Sequence, residues 1–228
     1  MSSSKRSAAQ APYHHGHLRQ ALIEATESLL AERGADGFSL REVARRAGVS
    51  PSAPAHHFGD AAGLLAEVCT LAFQQLADAL RQGEADAGND PKARLVGQGL
   101  GYIDFAMREP ARFRLMFRSG MLEPTESLKA AADAAFALLD GGVAALLGKR
   151  RDALAHRRAT LAMWALVHGY AHLAIAGRLD WLLADLPRPR WLREVVQPAL
   201  DQLATAISAP APAARARRPP AAPRPKSR

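Results

Sequence analysis

The 228-residue sequence has a single cysteine, Cys69, which excludes an intramolecular disulfide framework and is typical of a reducing compartment. Its place among apolar residues at helical spacing favours a small buried hydrophobic side chain over a redox-sensing thiol. Alternating runs of β-branched residues, which predict strands, are also scarce, whereas alanine, leucine and arginine dominate. These absences predict an all-α fold.

Signatures of common enzyme and export classes are missing as well. The sequence has no nucleophile elbow, phosphate-cradling glycine loop, paired-carboxylate signature or zinc-ligand spacing, so we expect no catalysis, metal or cofactor. The N-terminal segment MSSSKRSAAQAP lacks the apolar core of a secretory signal, and we expect a cytoplasmic protein. The uncharged run Ala159–Gly177 approaches the length of a membrane span. His168 and His172 interrupt its apolar character, which favours a core helix and no membrane partner.

The positive charge is unevenly distributed. The formal net charge is +8, but two basic residues before the first predicted helix and six in the acid-free C-terminal segment account for all of it. The remaining chain is formally neutral, so the high isoelectric point is weak evidence for nucleic-acid binding. A local cluster, Arg41, Arg45 and Arg46, supplies a basic patch instead.

The segment Ser39–Phe58 (SLREVARRAGVSPSAPAHHF) carries the most specific signal. Its first serine and Glu42 have the spacing of a capping box, and apolar residues at helical spacing follow. Gly48 supplies a tight turn, and Ser50 as a cap with Pro51 at the first helical position predicts a second helix. Two short helices joined by a glycine turn predict a helix-turn-helix, whose second helix can enter the DNA major groove.

Helical periodicity and breaker residues divide the rest of the chain. We predict helices over His17–Arg33, Ala61–Arg81, Pro91–Met107, Pro110–Arg118, Pro124–Leu147, Arg150–Arg178 and Arg190–Ile207. Asp60 is expected to cap the second of these. The segment Gly83–Pro91 predicts a break between two modules, and Pro198 predicts a kink or restart in the last helix.

The wider arrangement resembles a known family. A helix ending in AERGADGFS, then SLREVARRAGVS, then HFGDAAGLL at the start of a long helix, resembles the N-terminal domain of the tetracycline-repressor (TetR) family of transcriptional regulators. This resemblance covers about residues 16–76. Trp164, His168 and Gly169 in WALVHGYAHLAIAGRL are similar to the W-H-G signature of one class of C-terminal domain in that family.

The resemblance implies a domain organisation and a function. The implied domains are a disordered basic arm (1–13), a three-helix helix-turn-helix DNA-binding domain (14–76, motif 39–58), a helical ligand-sensing and dimerisation domain (77–208) and a disordered Ala/Pro/Arg tail (209–228). The implied function is a ligand-responsive repressor that binds a pseudo-palindromic double-stranded operator as a homodimer. We expect an apolar small-molecule effector, and dimerisation through Leu154–Leu173 and Trp191–Leu203.

Two sets of site residues follow. The expected DNA-binding residues are Ser39, Arg41, Arg45, Ser50, Pro51, Ser52, Ala53, Ala55, His56 and His57. The expected ligand-binding residues are Tyr102, Phe105, Phe113, Met116, Phe117, Met121, Trp164, His168 and His172. Aromatic residues and methionines at helical spacing are also typical of an ordinary core, and that alternative stays open for the second set.

Two positions depart from the family pattern. Ala55 stands where the family usually has tyrosine and Ala61 where it has lysine, and both of those side chains hold DNA phosphates. Their loss keeps open an alternative function, a degenerate helix-turn-helix that acts as a protein-interaction module with weak or no specific DNA binding. His56 and His57 are the available replacements, although neutral histidines can also simply pack or donate hydrogen bonds.

We predict that operator affinity rises as the pH falls from about 8 to 6, because His56 or His57 then gains a positive charge beside the phosphates. The measurement is a DNA titration across this range at fixed salt concentration. An affinity that stays constant would contradict the replacement of the missing anchors by histidine.

Overall fold

A computed structural model describes residues 15–34, 38–118, 124–150 and 152–209, and within these ranges all regular structure is helical. The predicted all-α fold is confirmed. The α-helices are α1 (His15–Arg33), α2 (Leu40–Ala47), α3 (Ala53–Phe58), α4 (Ala61–Asp86), α5 (Pro91–Arg108), α6 (Pro110–Met116), α7 (Glu126–Leu147), α8 (Ala153–Ile175), α9 (Asp180–Leu183), α10 (Arg188–Trp191) and α11 (Gln197–Ser208). A 3-10 turn follows α7 at Gly148–Arg150, and a π-helical turn at Leu192–Val196 joins α10 to α11.

Helices α1 to α3 pack with the start of α4 into a small N-terminal unit, here called the head. Its core is formed by Leu22, Ile23, Leu29 and Leu30 of α1, Val43 and Ala44 of α2, Pro54 of α3, and Leu64 and Leu65 of α4. Arg46 ties α2 to α1, because its guanidinium lies 2.6 and 2.7 Å from the carboxylate oxygens of Glu32. Gly48 ends α2 with a φ of 68°, a left-handed conformation that glycine adopts without strain. Asp60 caps α4 as predicted, accepting the Gly63 N–H at 2.8 Å.

The second helix of the motif begins later than predicted. The sequence predicts Ser50 as its cap and Pro51 as its first residue, but residues 51–52 form a turn and α3 begins at Ala53. Pro54 explains the shift, since its fixed φ and missing N–H suit only the first turn of a helix. The result is a second motif helix of six residues.

Helix α4 continues past the predicted break at Gly83 and ends at Asp86. The reason is tertiary: a β-carbon on Gly83 would lie 2.2 Å from the Gly97 carbonyl oxygen, and one on Gly97 would lie 2.1 Å from the Gly83 oxygen. A β-carbon on Gly101 would likewise lie 2.4 Å from the Ala79 carbonyl oxygen. These glycines let the α4 and α5 backbones touch, so Gly83 belongs to a packed helix rather than to a linker.

Helix α5 is the central element of the second unit, here called the body. It packs against α4, α7, α8 and α11, and the core between them includes Leu95, Ile103, Met163 and Leu200, which are almost completely buried. Gly99 leaves room for the side chains of Val167 and Leu200. Because these helices surround α5, the space left beside it is enclosed on several sides.

The C-terminal helices are more broken than the periodicity predicts. Helix α8 is shorter than the predicted Arg150–Arg178. It begins after Asp152, whose carboxylate accepts two backbone N–H groups of the first turn at 2.8 and 2.9 Å. The predicted restart near Pro198 is confirmed, because α11 follows the π-helical turn and carries Pro198 in its first turn. In α8, Met163 and Val167 are buried and the opposite face is exposed. Among the described helices, α7 is long and apolar enough to cross a membrane by length and composition, which for one helix is weak evidence of a span.

We predict that Gly97→Ala lowers the free energy of unfolding by about 2 kcal/mol, because its β-carbon would overlap the Gly83 carbonyl. Gly141→Ala is the matched control in α7: its β-carbon would meet open space, so the better helix former should raise the free energy of unfolding by up to about 1 kcal/mol. Guanidinium denaturation of both variants checks the pair through the transition midpoints. Equal midpoints for the two variants would contradict the backbone contact.

Candidate nucleic-acid interface and ligand cavity

Most of the expected DNA-binding side chains lie on the surface of the head. Eight are exposed, namely Ser39, Arg41, Arg45, Ser50, Pro51, Ser52, Ala55 and His56, and two are half-buried, namely Ala53 and His57. The aromatic ring of Phe58 instead faces the head, with the Arg19 guanidinium 5.4 Å from its centroid. The exposed set is therefore available for an external partner.

The three clustered arginines have different environments. Arg45 forms a two-pronged ion pair with Glu42, at 3.0 and 2.7 Å, and Arg46 is held by Glu32. These contacts lower the pKa of both glutamates. Arg41 is exposed and has no ion pair within the described residues. The basic patch predicted from the sequence thus contains one unpaired cation.

The capping box at the start of α2 is half formed. The Ser39 hydroxyl accepts the Glu42 N–H at 3.3 Å, as predicted. The Glu42 carboxylate does not complete the box but binds Arg45. Ser39 therefore has a defined structural role in addition to its exposed position.

A cavity of about 260 Å³ lies between α4, α5, α7 and α8, and Phe117 closes one side. Its lining is mainly apolar and comprises Phe73, Leu76, Leu80, Leu95, Gln98, Gly99, Tyr102, Phe117, Ala132, Asp133, Ala135, Phe136, Leu139, Met163, Trp164 and Val167. Apolar cavities of this kind, with few polar groups, are typical of small-molecule sites.

The structure divides the expected ligand-binding residues into four groups. Tyr102, Phe117 and Trp164 line the cavity. Phe105, Phe113 and Met116 are buried core side chains that are absent from its lining. His168 is half-buried, His172 is exposed and neither lines the cavity, but their rings contact those of Phe113 and Phe117. Met121 lies outside the described residues.

Several lining residues were not expected from the sequence, including Phe73, Gln98 and Phe136. Phe73 shares one face of α4 with Leu76 and Leu80, a spacing that the sequence does display but that predicts a core stripe equally well. Gln98 is 3% exposed and carries no local signal of burial. Its position depends on the convergence of α4, α5 and α7, which no single helix pattern encodes.

One end of the cavity is polar. The Tyr102 hydroxyl lies 2.8 Å from Nδ1 of His168, and Trp164 lines the cavity together with Tyr102. Burial raises the pKa of Tyr102, so the phenol stays protonated. Burial, and then the neighbouring His172, lower the pKa of His168, so its neutral form is favoured at neutral pH.

Helix α6 connects the body to the head. Arg112 of α6 donates two hydrogen bonds to Glu27 of α1, at 3.0 and 2.6 Å, and another to Gln75 of α4. Phe117 directly follows the same helix and lines the cavity. A displacement of Phe117 can therefore act on α1 through a short, partly buried ion pair.

Comparisons with known proteins agree with this architecture. Residues 22–68 match the family model of bacterial regulatory proteins of the tetR family, and residues 95–197 match that of a tetracyclin repressor-like C-terminal domain. The chain belongs to the TetR family. The resemblance inferred from the sequence motifs is thus confirmed.

Curated relatives match mainly over the head. The HTH-type transcriptional regulator BetI of Yersinia pestis (strain Pestoides F) is 39% identical over 87 residues, which is 38% of this chain and 44% of that protein. BetI of Stenotrophomonas maltophilia (strain R551-3) is 36% identical over 77 residues, which is 34% of this chain and 39% of that protein. The match therefore spans less than half the length of these regulators.

Solved structures match over both units. A protein of unknown function from Rhodococcus sp. RHA1 is 32% identical, with a TM-score of 0.71 over 88% of this chain and 100% of that chain. The TetR family transcriptional regulator PfmR from Thermus thermophilus is 23% identical, with a TM-score of 0.58 over 81% of this chain and 97% of that chain. At that identity, the PfmR likeness concerns the fold alone.

Proposed function

We propose that this protein is a cytoplasmic repressor that binds a specific DNA operator as a homodimer. When a small molecule occupies the body cavity, the protein releases the operator or binds it with a different affinity. One observation carries the proposal: in a TetR family chain, the exposed surface of α2, the turn and α3 presents Arg41 and His56 to solvent. The proposed units are a DNA-binding head at 14–76 and a sensing and dimerising body at 77–208.

In the proposed complex, Arg41 binds a backbone phosphate and α3 faces the base edges. The Arg41 guanidinium is free to do so, whereas Arg45 and Arg46 would first have to leave Glu42 and Glu32. Ser52 and His56 are exposed on α3 and can reach groups in the major groove. The head thus supports phosphate contact and base contact from adjacent elements.

A second candidate function is a protein-interaction module. Ala55 is exposed where a phosphate-holding tyrosine is usual in the family, and it contributes neither a hydroxyl nor a charge. A gel shift with the DNA upstream of the protein's own gene separates the two functions. A shift that resists non-specific competitor DNA supports the repressor, and its absence supports the interaction module.

We predict that Arg41→Ala weakens specific binding roughly tenfold and makes the salt dependence of log K shallower by about 2 per dimer, since one phosphate contact is lost from each head. Arg190→Ala is the matched control, because Arg190 is an exposed arginine of the body that pairs with Glu194 at 2.8 Å. Fluorescence anisotropy at several salt concentrations measures both effects. Equal salt slopes for Arg41→Ala and the wild type would contradict the phosphate contact.

The proposed response to the effector uses α4 and α6. Helix α4 begins in the head, at Ala61, and lines the cavity with Phe73, Leu76 and Leu80. A molecule that fills the cavity contacts α4 directly and α6 through Phe117, while Arg112 holds α6 to Glu27 of the head. Occupancy of the cavity and the position of the head are then coupled through one network of packed side chains.

The proposed dimer uses the outer face of α8. Leu154, Leu161 and Leu173 are 55%, 62% and 45% exposed on this face, which is a large apolar surface for a free helix. Gly169 lies among them in mid-helix, where glycine costs about 1 kcal/mol relative to alanine, yet a β-carbon there would meet nothing within 4 Å of its own chain. A partner helix that approaches closely accounts for that glycine.

One antiparallel arrangement satisfies these features together. A two-fold axis at Ala165 places Leu161 of each subunit opposite Gly169 of the partner subunit, so that each leucine fills the space beside a glycine. The same axis brings Arg157 and Arg158 to the C-terminal end of the partner's α8, where the helix dipole favours positive charge. Shape and charge are therefore complementary between two copies.

We predict that Ala165→Cys forms an intermolecular disulfide on mild oxidation, because the two new thiols lie beside the axis. Ala137→Cys, on an exposed position of α7, is the matched control and should stay uncross-linked. The native Cys69 does not interfere, since it is fully buried and its pKa is raised to about 12. Non-reducing electrophoresis detects the product, and efficient cross-linking of Ala137→Cys instead would move the interface to α7.

A further inference from the structure

The carboxylate of Glu42 forms an ion pair that its position in α2 does not require. Glu42 is the third residue of the helix, where the glutamate of a capping box accepts the N–H of the capping residue. Here the carboxylate instead accepts two hydrogen bonds from Arg45, at 3.0 and 2.7 Å. The backbone N–H of Glu42 is the group that takes part in the cap, by donating to the Ser39 hydroxyl. The side chain therefore binds Arg45 instead of the helix end.

The surroundings of Glu42 keep this carboxylate in place. Its side chain is 22% exposed, and Nη1 of Arg33, at the end of α1, lies 4.0 Å from its Oε1. The Arg45 guanidinium lowers the pKa of Glu42, so the carboxylate is ionised at neutral pH. Two-pronged contacts between a guanidinium and a carboxylate are among the stronger hydrogen bonds of proteins. Arg45 is therefore neutralised by a partner of its own helix.

Arg41 and Arg45 share one exposed face of α2. They are four residues apart, which is about 6 Å along the helix axis. In a helix-turn-helix, the first helix crosses the DNA backbone. A strand whose phosphate reaches Arg41 thus brings a neighbouring phosphate toward Arg45. Arg41 has no ion pair within the described residues, whereas Arg45 already has one, so the two arginines differ in what they can contribute to DNA binding.

A phosphate that binds Arg45 has to displace Glu42. Phosphate and carboxylate oxygens both accept two parallel hydrogen bonds from a guanidinium, so this exchange replaces one ion pair with another of the same kind. It also leaves the Glu42 carboxylate close to the phosphate, with Arg33 at 4.0 Å as its remaining ion-pair partner. Two negative charges brought together in this way repel each other. Arg45 then adds little to the affinity for DNA, and Glu42 lowers it.

We infer that Glu42 is an internal counter-ion that opposes DNA binding by holding Arg45, so that the protein binds DNA phosphates less tightly than its arginine cluster would allow. The inference rests on the proposed function, in which α2 meets the DNA backbone. Because phosphates are the same in every sequence, Glu42 weakens binding to any duplex and so limits attachment to non-specific DNA. Glu42 is a positioning residue, since it acts on DNA through Arg45.

Glu42→Gln removes the charge and keeps the shape of the side chain. We expect it to tighten DNA binding roughly tenfold and to steepen the salt dependence of log K by about 2 per dimer, because each head gains one phosphate contact. Fluorescence anisotropy measures both effects on two duplexes of equal length, one from the DNA upstream of the protein's own gene and one of scrambled sequence. Both duplexes should show the gain.

Glu194→Gln is the matched control for this variant. Glu194 accepts a hydrogen bond from Arg190 at 2.8 Å, and both side chains are exposed on the body. The substitution therefore releases an arginine that belongs to neither α2 nor α3. We expect the affinity and the salt dependence to stay at their wild-type values on both duplexes.

Variants of Arg45 show where the gain arises. In the otherwise unchanged chain, Arg45→Ala should alter the salt dependence less than Arg41→Ala does, because Arg45 is already neutralised. When Arg45→Ala is present, Glu42→Gln should steepen the salt dependence by less than about 1 per dimer, since no arginine is released. Where Glu42→Gln does not fold, the comparison of Arg45→Ala with Arg41→Ala decides.

Two results would overturn the inference: an unchanged salt dependence for Glu42→Gln on both duplexes, or an Arg45→Ala variant whose salt dependence falls as far as that of Arg41→Ala. The scrambled duplex separates these results from the test of the repressor, because phosphate contacts carry no sequence information. A wild type that binds both duplexes equally contradicts the sequence-specific repressor and leaves the salt dependences to decide the role of Glu42. Absence of binding to either duplex contradicts both.

Discussion

The contact between the backbones of α4 and α5 is the constraint on which the rest of the structure depends. Gly83, Gly97 and Gly101 bring carbonyl oxygens of the facing helix to within 2.1 to 2.4 Å of where β-carbons would stand. A β-carbon at any of these positions would force the two backbones apart, and protein cores do not absorb such a change without loss of stability. The spacing of α4 and α5 is therefore fixed over about one helical turn.

Helix α4 contributes both to the cavity and to the head. Toward its N-terminus, α4 leaves the glycine contact, lines the cavity with Leu80, Leu76 and Phe73, and enters the head at Ala61. The cavity lies beside the glycine contact, since Leu80, Gln98 and Gly99 belong to its lining. Arg112 of α6 binds Glu27 of α1 and adds a second connection between the body and the head.

The elements that the sequence predicts well are those whose signals are local. Gly48, Asp60 and the capping serine Ser39 act on their own helix ends, and each has the predicted role. Gly83 misled the prediction because a glycine in a helix suggests a break unless a facing backbone is known. In the predicted arginine cluster, Arg46 forms an ion pair with Glu32, a residue fourteen positions away. Such pairings arise from tertiary packing, which periodicity cannot supply.

The same distinction separates the two parts of the W-H-G motif. Trp164 lines the cavity and His168 lies 2.8 Å from the Tyr102 hydroxyl of α5, whereas a β-carbon on Gly169 would meet nothing within 4 Å. Sequence similarity groups the three residues into a single motif, but on the helix they lie on two surfaces with different surroundings. The tryptophan and histidine shape the polarity of the cavity, and the glycine bears on the outer face of α8. Because all three lie within six residues of α8, the cavity wall and that outer face are formed by adjacent positions of one helix.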